Sequence, residues 1–474
     1  MAVERERIRI LHDGAPGLNA RYVLYWAQMN RRVRFNHALL HAVELANRQD
    51  LPLLVYEGLT CTYPGANRRV HSFMLEAVPE FGAEVRRQGA GYFFYLRAHR
   101  SDPNDVLYRL AASAHTVVTD DYPVFIAGRN NRSVASHIRL PFIAVDSSCT
   151  VPMCVHEKQA WAAYTIRPKI DRELPRFLTL PAPFSLTHKW RDDLLPAGVD
   201  ALRTEVAANG VAHLVAGCEI NQSIAPSTCF RGGAEEAGRR LELFLEGSLR
   251  RYAKESNQPS AHATSNLSSY LHFGHISSLE IALAAQSYAE RHKLMAGEFL
   301  EQIIVRRELA FNFTRFAANP ESLDGAPEWA KRTMAKHAAD TRTFLYAPEQ
   351  FERAETHDNL WNAAQKELLL RGVIHGYYRM YWAKKIIEWI PTYEEALRLM
   401  IDLHDVYALD GRDPNTYANI LWCFGLHDRP WVERPVFGQL RYVSYEGMRR
   451  KTDTAAYIRE IALLETTGED PYRL

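Results

Sequence analysis

The sequence predicts an α/β domain built on a parallel sheet, followed by an all-helical domain. Three observations carry that reading. The first third alternates short apolar, β-branched or aromatic runs with amphipathic stretches. The second half keeps a 3.6-residue periodicity almost without interruption. Between them lies a proline-rich stretch with neither pattern, which reads as a connection. The expected boundaries are 1–185 for the α/β domain, 186–230 for the connection and 231–474 for the helical domain.

In chain order, YVLYWAQ, LPLLVYEGL, YFFYLRA and HTVVTDD read as strands, and FNHALLHAVELANRQ, HSFMLEAVPEFGAEVRRQG and DVLYRLAASA read as the helices between them. Strands alternating with helices argue for a parallel sheet covered on both faces, and such sheets bind ligands at the carboxyl ends of their strands. No G-x-G-x-x-G follows the first strand, so the nicotinamide-dehydrogenase fingerprint is absent. From about Pro141 to Cys229 the pattern loosens, with ELPRFLTLPAPFSLTHKW and GCEINQSIAPS as its clearest breaks. After Gly232 five long helical runs follow: AEEAGRRLELFLEGSLRRYAKE, ISSLEIALAAQSYAERHKLM, EFLEQIIVRRELAFNF, LWNAAQKELLLRGVIHGYYRMYWAKKIIEWI and YEEALRLMIDLHDVYALD.

Composition narrows the class without naming a function. A chain of 474 residues has room for two or three domains, and 47% hydrophobic with 24% charged residues is the balance of a soluble folded protein. A formal charge of +1 advertises no nucleic-acid partner, although a local basic patch can sit inside a balanced total. The N-terminus MAVERERIRILHD lacks the apolar core of a secretory signal, and no run of 18 apolar residues occurs. The expectation is a cytoplasmic monomer that makes no membrane contact. Six cysteines are scattered without a C-x-x-C pair, which signals neither a disulfide framework nor an iron–sulfur cluster. Cys149, Cys154 and His156 are read as ordinary side chains, and no metal is expected.

Three features carry chemistry. Trp382 and Trp389 lie seven residues apart on one predicted helix, hence on one face and about 10 Å apart along its axis. With Trp361 they suit either electron hopping to a redox cofactor or a plain core stripe. Thr264, Ser265 and Ser268, in ATSNLSSYLHFGHIS, place hydroxyls at a predicted helix start, an arrangement that suits phosphate but is also an ordinary cap. LDGRDPN sets Asp410, Arg412 and Asp413 around Gly411 before a proline, as a turn that also suits a surface loop.

Taken together and in order, FRGG, TSNLSSYLHFGHIS, EFLEQIIVRRELAFNF, HDNLWNAAQ, HGYYRMYWAKKIIEW, LDGRDPN, HDRPW and ERPVFGQLRYVSYEG closely resemble class II cyclobutane pyrimidine dimer photolyases of the photolyase/cryptochrome superfamily. RYVLYWAQMNRRVRFNHALLHAVELA and AYTIRPKI resemble the family's N-terminal domain and the stretch after it, so the resemblance covers nearly the whole chain. It implies a Rossmann-like α/β antenna domain and an all-α FAD-binding domain. The implied activity is light-driven repair of pyrimidine dimers in DNA.

The resemblance also implies roles. Thr264, Ser265, Asn266, Leu267 and Ser268 match the segment that contacts the FAD phosphates, and Arg379, Asp410 and Gly411 match positions at the isoalloxazine ring. Trp382, Trp361 and Trp389 match the electron-transfer tryptophans, with Trp382 nearest the flavin, Trp361 as bridge and Trp389 outermost. Met380 and Trp422 match the lesion pocket, and Arg429, Trp431 and Arg441 match residues that fill the opened duplex and hold its strands. Arg449, Arg450 and Lys451 form a basic run that suits either a DNA backbone or a solvated face. A deazaflavin or a folate is the implied antenna chromophore.

The match departs at three places. His404 stands where an asparagine facing flavin N5 is expected, and Gln302 where a lesion-contacting glutamate is expected. Histidine donates a hydrogen bond as asparagine does but also titrates near neutrality, and glutamine keeps glutamate's reach without its charge. Arg306 stands where some relatives carry an aromatic residue. His404 and Gln302 put repair in question rather than flavin binding, which leaves a cryptochrome-like photoreceptor as the alternative. A dark flavin oxidoreductase would need a nicotinamide site that the sequence does not show.

Overall fold

The computed structural model describes residues 3–17, 19–207 and 210–473. A six-stranded sheet is formed by β1 (Ile8–His12), β2 (Tyr22–Ala27), β3 (Leu53–Thr60), β4 (Gly91–Arg97), β5 (Ala114–Asp120) and β6 (Phe142–Val145), in the order β1-β6-β5-β2-β3-β4. β2 to β6 pair in parallel and only β1 runs antiparallel, beside β6. Helices α1 (His37–Arg48), α2 (Arg68–Arg87), α3 (Val106–Ala111) and α4 (Phe125–Ala135) connect them. Alternate strand residues enter different cores: Val23, Tyr25, Leu53 and Val55 face one, and Tyr22, Leu24, Leu54 and Tyr56 face the other. Both faces of the sheet are therefore dry, as a parallel sheet requires.

The four predicted strands are β2 to β5. β1 and β6 stand outside that prediction. β1 is a partly exposed edge strand inside a charged stretch, and what anchors it is Arg7, whose guanidinium is buried and donates to the carbonyls of Asp146, Cys149 and Thr150 at 3.2, 2.9 and 2.8 Å. Such a strand carries no apolar run to read. The stretch expected as a connection runs back along the opposite edge: Trp190 N donates to Gly89 O and Thr204 N to Phe94 O, both at 2.8 Å. It thereby covers the open edge of β4.

α5 (Ala163–Phe177) and α6 (Val211–Ala216) lead into the helical half. That half contains α7 (Ala234–Gly247), α8 (Tyr252–Glu255), α9 (Ser268–His272), α10 (Ser278–His292), α11 (Gly297–Leu300), α12 (Arg307–Phe316), α13 (Glu328–His337) and α14 (Pro348–Glu352). It ends with α15 (Asn359–Arg371), α16 (Gly376–Trp389), α17 (Tyr393–Tyr407), α18 (Pro414–Trp422), α19 (Tyr445–Lys451) and α20 (Thr454–Thr467). The run LWNAAQKELLLRGVIHGYYRMYWAKKIIEWI, predicted as one helix, is two. Gly372 adopts φ +79°, a left-handed conformation that ends α15, and the side chain of His375 caps α16 by accepting from Tyr377 N. This break folds α16 back on α15. EFLEQIIVRRELAFNF stays helical but widens into a π-helical turn, Glu301–Arg306, between α11 and α12. One apolar core runs from the sheet through α2 into the helical half, where Phe230, Phe244, Leu267 and Phe299 continue it.

Candidate functional site

α16 carries the first site residues. Arg379 and Trp382 lie three residues apart and so share a face of the helix. Arg379 Nη2 donates to both Asp410 carboxylate oxygens, at 3.0 and 3.2 Å, and to Ile374 O at 3.2 Å. Asp410 sits on a turn that is buried, not a surface loop: Asp410, Arg412 and Asp413 are 8%, 2% and 6% exposed. The turn is fixed by hydrogen bonds. Arg412 N donates to Asp405 Oδ1 at 2.7 Å, and its guanidinium donates to the carbonyls of Asp405 and Ala408. Asp413 caps α18 and accepts from the Tyr122 hydroxyl at 2.7 Å, with His272 Nδ1 at 3.2 Å. Gly411 is demanded by space, because a Cβ there would lie 2.7 Å from His404 O.

Electrostatics follow from this enclosure. Burial pushes the Asp410 carboxyl up, but the Arg379 charge, whose guanidinium also donates to it, outweighs this and holds the group below its ordinary value. His404, on α17, is 1% exposed, and burial together with the nearby Arg379 charge lowers its pKa to about 3. Its ring is neutral at physiological pH. Thr416 Oγ1 donates to Asp410 O at 3.2 Å, so it accepts from His404 Nδ1 at 3.4 Å. His404 Nε2 lies 3.9 Å from Asp410 Oδ1.

Two buried nitrogens beside Asp410 have no partner within the described residues: Arg379 Nε, a donor, and His404 Nε2. Buried polar atoms are ordinarily paired, so these two are open to hydrogen bonds from a bound group. The Thr264–Ser268 segment reaches toward the same cluster, where Ser268 favours the charged form of Asp410. It is shaped by Asn266 in the left-handed region (φ +54°), by Thr264 Oγ1 donating to Asn266 Oδ1 at 3.3 Å, and by Leu267, which is buried. Ser268 begins α9 and is exposed. A hydroxyl-rich segment, an unpaired guanidinium nitrogen and a neutral imidazole suit a cofactor with phosphates and a ring edge bearing both donors and acceptors.

The tryptophans extend from this cluster into the protein. Trp382 and Trp361 are fully buried and stacked, with centroids 6.4 Å apart and planes 7° from parallel, and Trp389 meets Trp361 edge-on at 6.2 Å. Trp382 Nε1 donates to Gln365 Oε1 at 2.8 Å and Trp361 Nε1 to Trp382 O at 2.9 Å, which locks both rings. Gln365 has no sequence signal of its own; only the packing of α15 on α16 brings it to the indole. Trp389, expected as the outermost ring, is only 2% exposed. Tyr346 and His357 stand beyond it, at 5.8 and 4.9 Å.

A second cluster gathers Trp422, Trp431, Arg429 and Arg441. The Arg441 guanidinium lies 4.1 Å over Trp431 and 5.2 Å over Trp422, and pairs with Asp428 at 2.9 Å. Arg429 is exposed, with its guanidinium 5.2 Å over the same Trp431 ring. Lys384, buried beneath Trp422, donates to Cys423 O, and burial lowers its pKa to about 8. Met380 is half-buried on α16 beside Arg379. Gln302 and Arg306 are exposed on the π-helical turn. Arg449, Arg450 and Lys451 are exposed on α19, with Arg449 already paired to Glu446 at 2.9 Å.

A further cavity of about 490 Å³ opens at the carboxyl ends of β2, β3 and β4. Trp26, Tyr56, Tyr95 and Phe125 line it together with Arg31 and Arg412. These residues carry no motif, but their position is where a parallel sheet receives ligands. Arg412 joins this cavity to the turn that holds Asp410, one residue on either side of Gly411.

The model of the DNA photolyase family matches residues 23–186. The chain is 38% identical over 464 residues to the deoxyribodipyrimidine photo-lyase of Methanothermobacter thermautotrophicus, covering 97% of this chain and 98% of that one. Among solved structures, the cryptochrome of Synechocystis sp. PCC6803 superposes with a TM-score of 0.69 over 94% of this chain and 90% of its own, at 14% identity. The photolyase of Sulfolobus tokodaii, solved with two FAD molecules, does so with 0.65 over 94% and 91%, at 15% identity. The architecture is therefore that of photolyases and cryptochromes. By identity along nearly its whole length, the chain belongs to the deoxyribodipyrimidine photo-lyases, enzymes of the photolyase/cryptochrome superfamily.

Proposed function

We propose that this enzyme repairs cyclobutane pyrimidine dimers in DNA by light-driven electron transfer, with FAD held between Thr264–Ser268 and the Arg379–Asp410–His404 cluster. The observation that carries this reading is the continuity of charge and rings on α16. Arg379 lies one turn from Trp382, and Trp382 begins a series of neighbouring rings that runs through Trp361 to Trp389. Once bound, reduced FAD supplies the excited-state electron that splits the cyclobutane ring.

The chain's own residues then have distinct tasks. Arg379 sets a positive charge at the ring edge, and Asp410 orients that charge while keeping the pair close to neutral. His404 stays uncharged through the physiological range, so it offers a ring nitrogen for hydrogen bonding without adding charge. Trp382, Trp361 and Trp389 relay electrons inward from a reductant in solution, along rings held in contact by packing. Gln365 fixes the first of them by accepting from its N–H.

On the DNA side, a dimer must leave the stack to approach a buried flavin, and the opened duplex must be held. Met380 and Trp422 supply apolar walls for the dimer. Arg429, Trp431 and Arg441 supply an aromatic wedge and cations for the strands, with Asp428 keeping Arg441 in place. This tryptophan arrangement and the HDRPW loop support assignment to the class II subtype. The cavity at the sheet suits a planar antenna chromophore, since its walls are aromatic and Arg31 and Arg412 provide cations for an acidic substituent. The absorption spectrum of the native protein, before and after extraction, identifies whether a deazaflavin, a folate or neither is present.

One assay tests the central claim. Photoreduced protein is illuminated with dimer-containing DNA while thymine absorbance is followed. Recovery of absorbance is expected. Normal flavin photoreduction without recovery removes the repair claim and leaves a photoreceptor.

A further inference from the structure

Trp161 is 54% exposed and Tyr164 66%, yet the backbone that carries Trp161 is fixed at three points. Asn312, itself buried, accepts from Ala160 N at 2.7 Å and donates to Lys158 O at 3.1 Å. His427 Nδ1 donates to the carbonyl of Trp161 at 2.7 Å. An indole presented to water on an immobilised segment loses little conformational freedom on binding, which is how aromatic anchors in recognition surfaces gain affinity.

The surroundings indicate what it binds. His427, in the left-handed region at φ +60°, lies two residues before Arg429 and four before Trp431, so Trp161 is continuous with the Trp422–Trp431–Arg441 cluster. On its other side, α5 packs against the π-helical turn. There Glu301 is shared by two arginines: Arg167 at 2.6 Å and Arg306 at 3.2 Å. Arg306 is exposed, four residues from the exposed Gln302, and its charge reaches His427. The patch is aromatic, rigid and positively charged at its rim. That combination suits a base stacked on a ring with its phosphate beside an arginine, the mode by which single-stranded nucleic acid is held.

We propose that Trp161 is a DNA-stacking residue, with Arg306 as its phosphate partner, which extends the DNA-binding surface from the 427–441 loop onto the segment entering α5. Its ligand is an unstacked base of the strand opened around the dimer. The proposal rests on the reading of Arg429, Trp431 and Arg441 as DNA contacts, and the test separates the two.

Binding of dimer-containing and undamaged duplexes is measured by fluorescence anisotropy across a salt series for wild type, Trp161→Ala, Trp161→Phe, Arg306→Ala and Arg441→Ala. Trp161→Ala is expected to weaken binding of the dimer duplex about tenfold at unchanged salt dependence, and Trp161→Phe to restore most of it. Arg306→Ala is expected to reduce the salt slope by about one. Wild-type affinity in Trp161→Ala, with weakened binding in Arg441→Ala, overturns this proposal and leaves the loop reading standing. Unchanged affinity in both removes the loop reading and this proposal with it. Hydroxyl-radical footprinting of the wild-type protein gives an independent check: Trp161 must become protected when dimer DNA is added, and unchanged oxidation overturns the assignment.

Discussion

Trp361 and Trp382 lie parallel with their centroids 6.4 Å apart, and the indole N–H of Trp361 donates to the backbone carbonyl of Trp382. The pair is thus fixed both by stacking and by a hydrogen bond across two helices. Neither ring touches solvent, and Trp389 stands edge-on beside Trp361 as the next ring in the series.

Trp382→Phe should therefore abolish flavin photoreduction while leaving repair intact when the flavin is reduced chemically. It also leaves Gln365 without a donor, and the buried orphan group lowers stability by about 1–3 kcal/mol. Flavin absorbance under continuous light is the measurement. An unchanged photoreduction rate would remove Trp382 from the relay.

Asp410→Asn should loosen FAD without unfolding the domain. The Arg379 charge then loses its one carboxylate partner among the described residues, and hydrogen bonds between charged groups contribute about 1.5–3 kcal/mol, or roughly ten- to hundredfold in affinity. Equilibrium dialysis of the reconstituted protein reads this directly. Retention of FAD at wild-type affinity would mean that the pair is purely structural.

Gly411→Ala tests the turn itself. The added methyl meets His404 O at 2.7 Å and Ala408 O at 3.1 Å, both backbone atoms that cannot swing away. A loss of about 1–3 kcal/mol in stability is expected, together with weakened FAD binding, because Asp410 is displaced. Thermal melting with and without flavin distinguishes the two effects.

Glu308 joins the two halves of the molecule: one carboxylate oxygen accepts from Thr150 N at 2.7 Å and Val151 N at 3.1 Å, and the other has no partner. Burial pushes its pKa up from 4.5 to about 8, against the pull of those amides and Arg307. Between these values the folded chain holds a proton that the unfolded chain has released. Stability contributed by this group is therefore present below pH 4.5 and falls as the pH rises toward about 8. Glu308→Gln should flatten that part of the profile, which urea unfolding between pH 5 and 8 measures. An identical slope in wild type and variant would show that Glu308 does not titrate there.

Much of this molecule was legible in the sequence because its signals are local. Strands β2 to β5 are short apolar runs between amphipathic helices. The motifs from Thr264 through Arg441 lie in one linear order, so a resemblance could be read without knowing where they meet. Spacing alone placed Trp382 and Trp389 on one helix. Other features depend on contacts between distant residues, and local pattern does not encode these. β1 exists because β6 and the buried Arg7 pair with residues about 140 positions away. The LDGRDPN turn reads as a surface loop until Asp405, Tyr122 and His272 enclose it. The neutral state of His404 follows from burial and the charge of Arg379, and the cavity at the sheet needs three strand ends and a turn from the other domain. Sequence determined the family, the two halves and the residues that carry charge and aromatic rings. Tertiary structure alone decided which of them are buried, paired or left unsatisfied, because desolvation and hydrogen bonding depend on neighbours that the chain brings together only by folding.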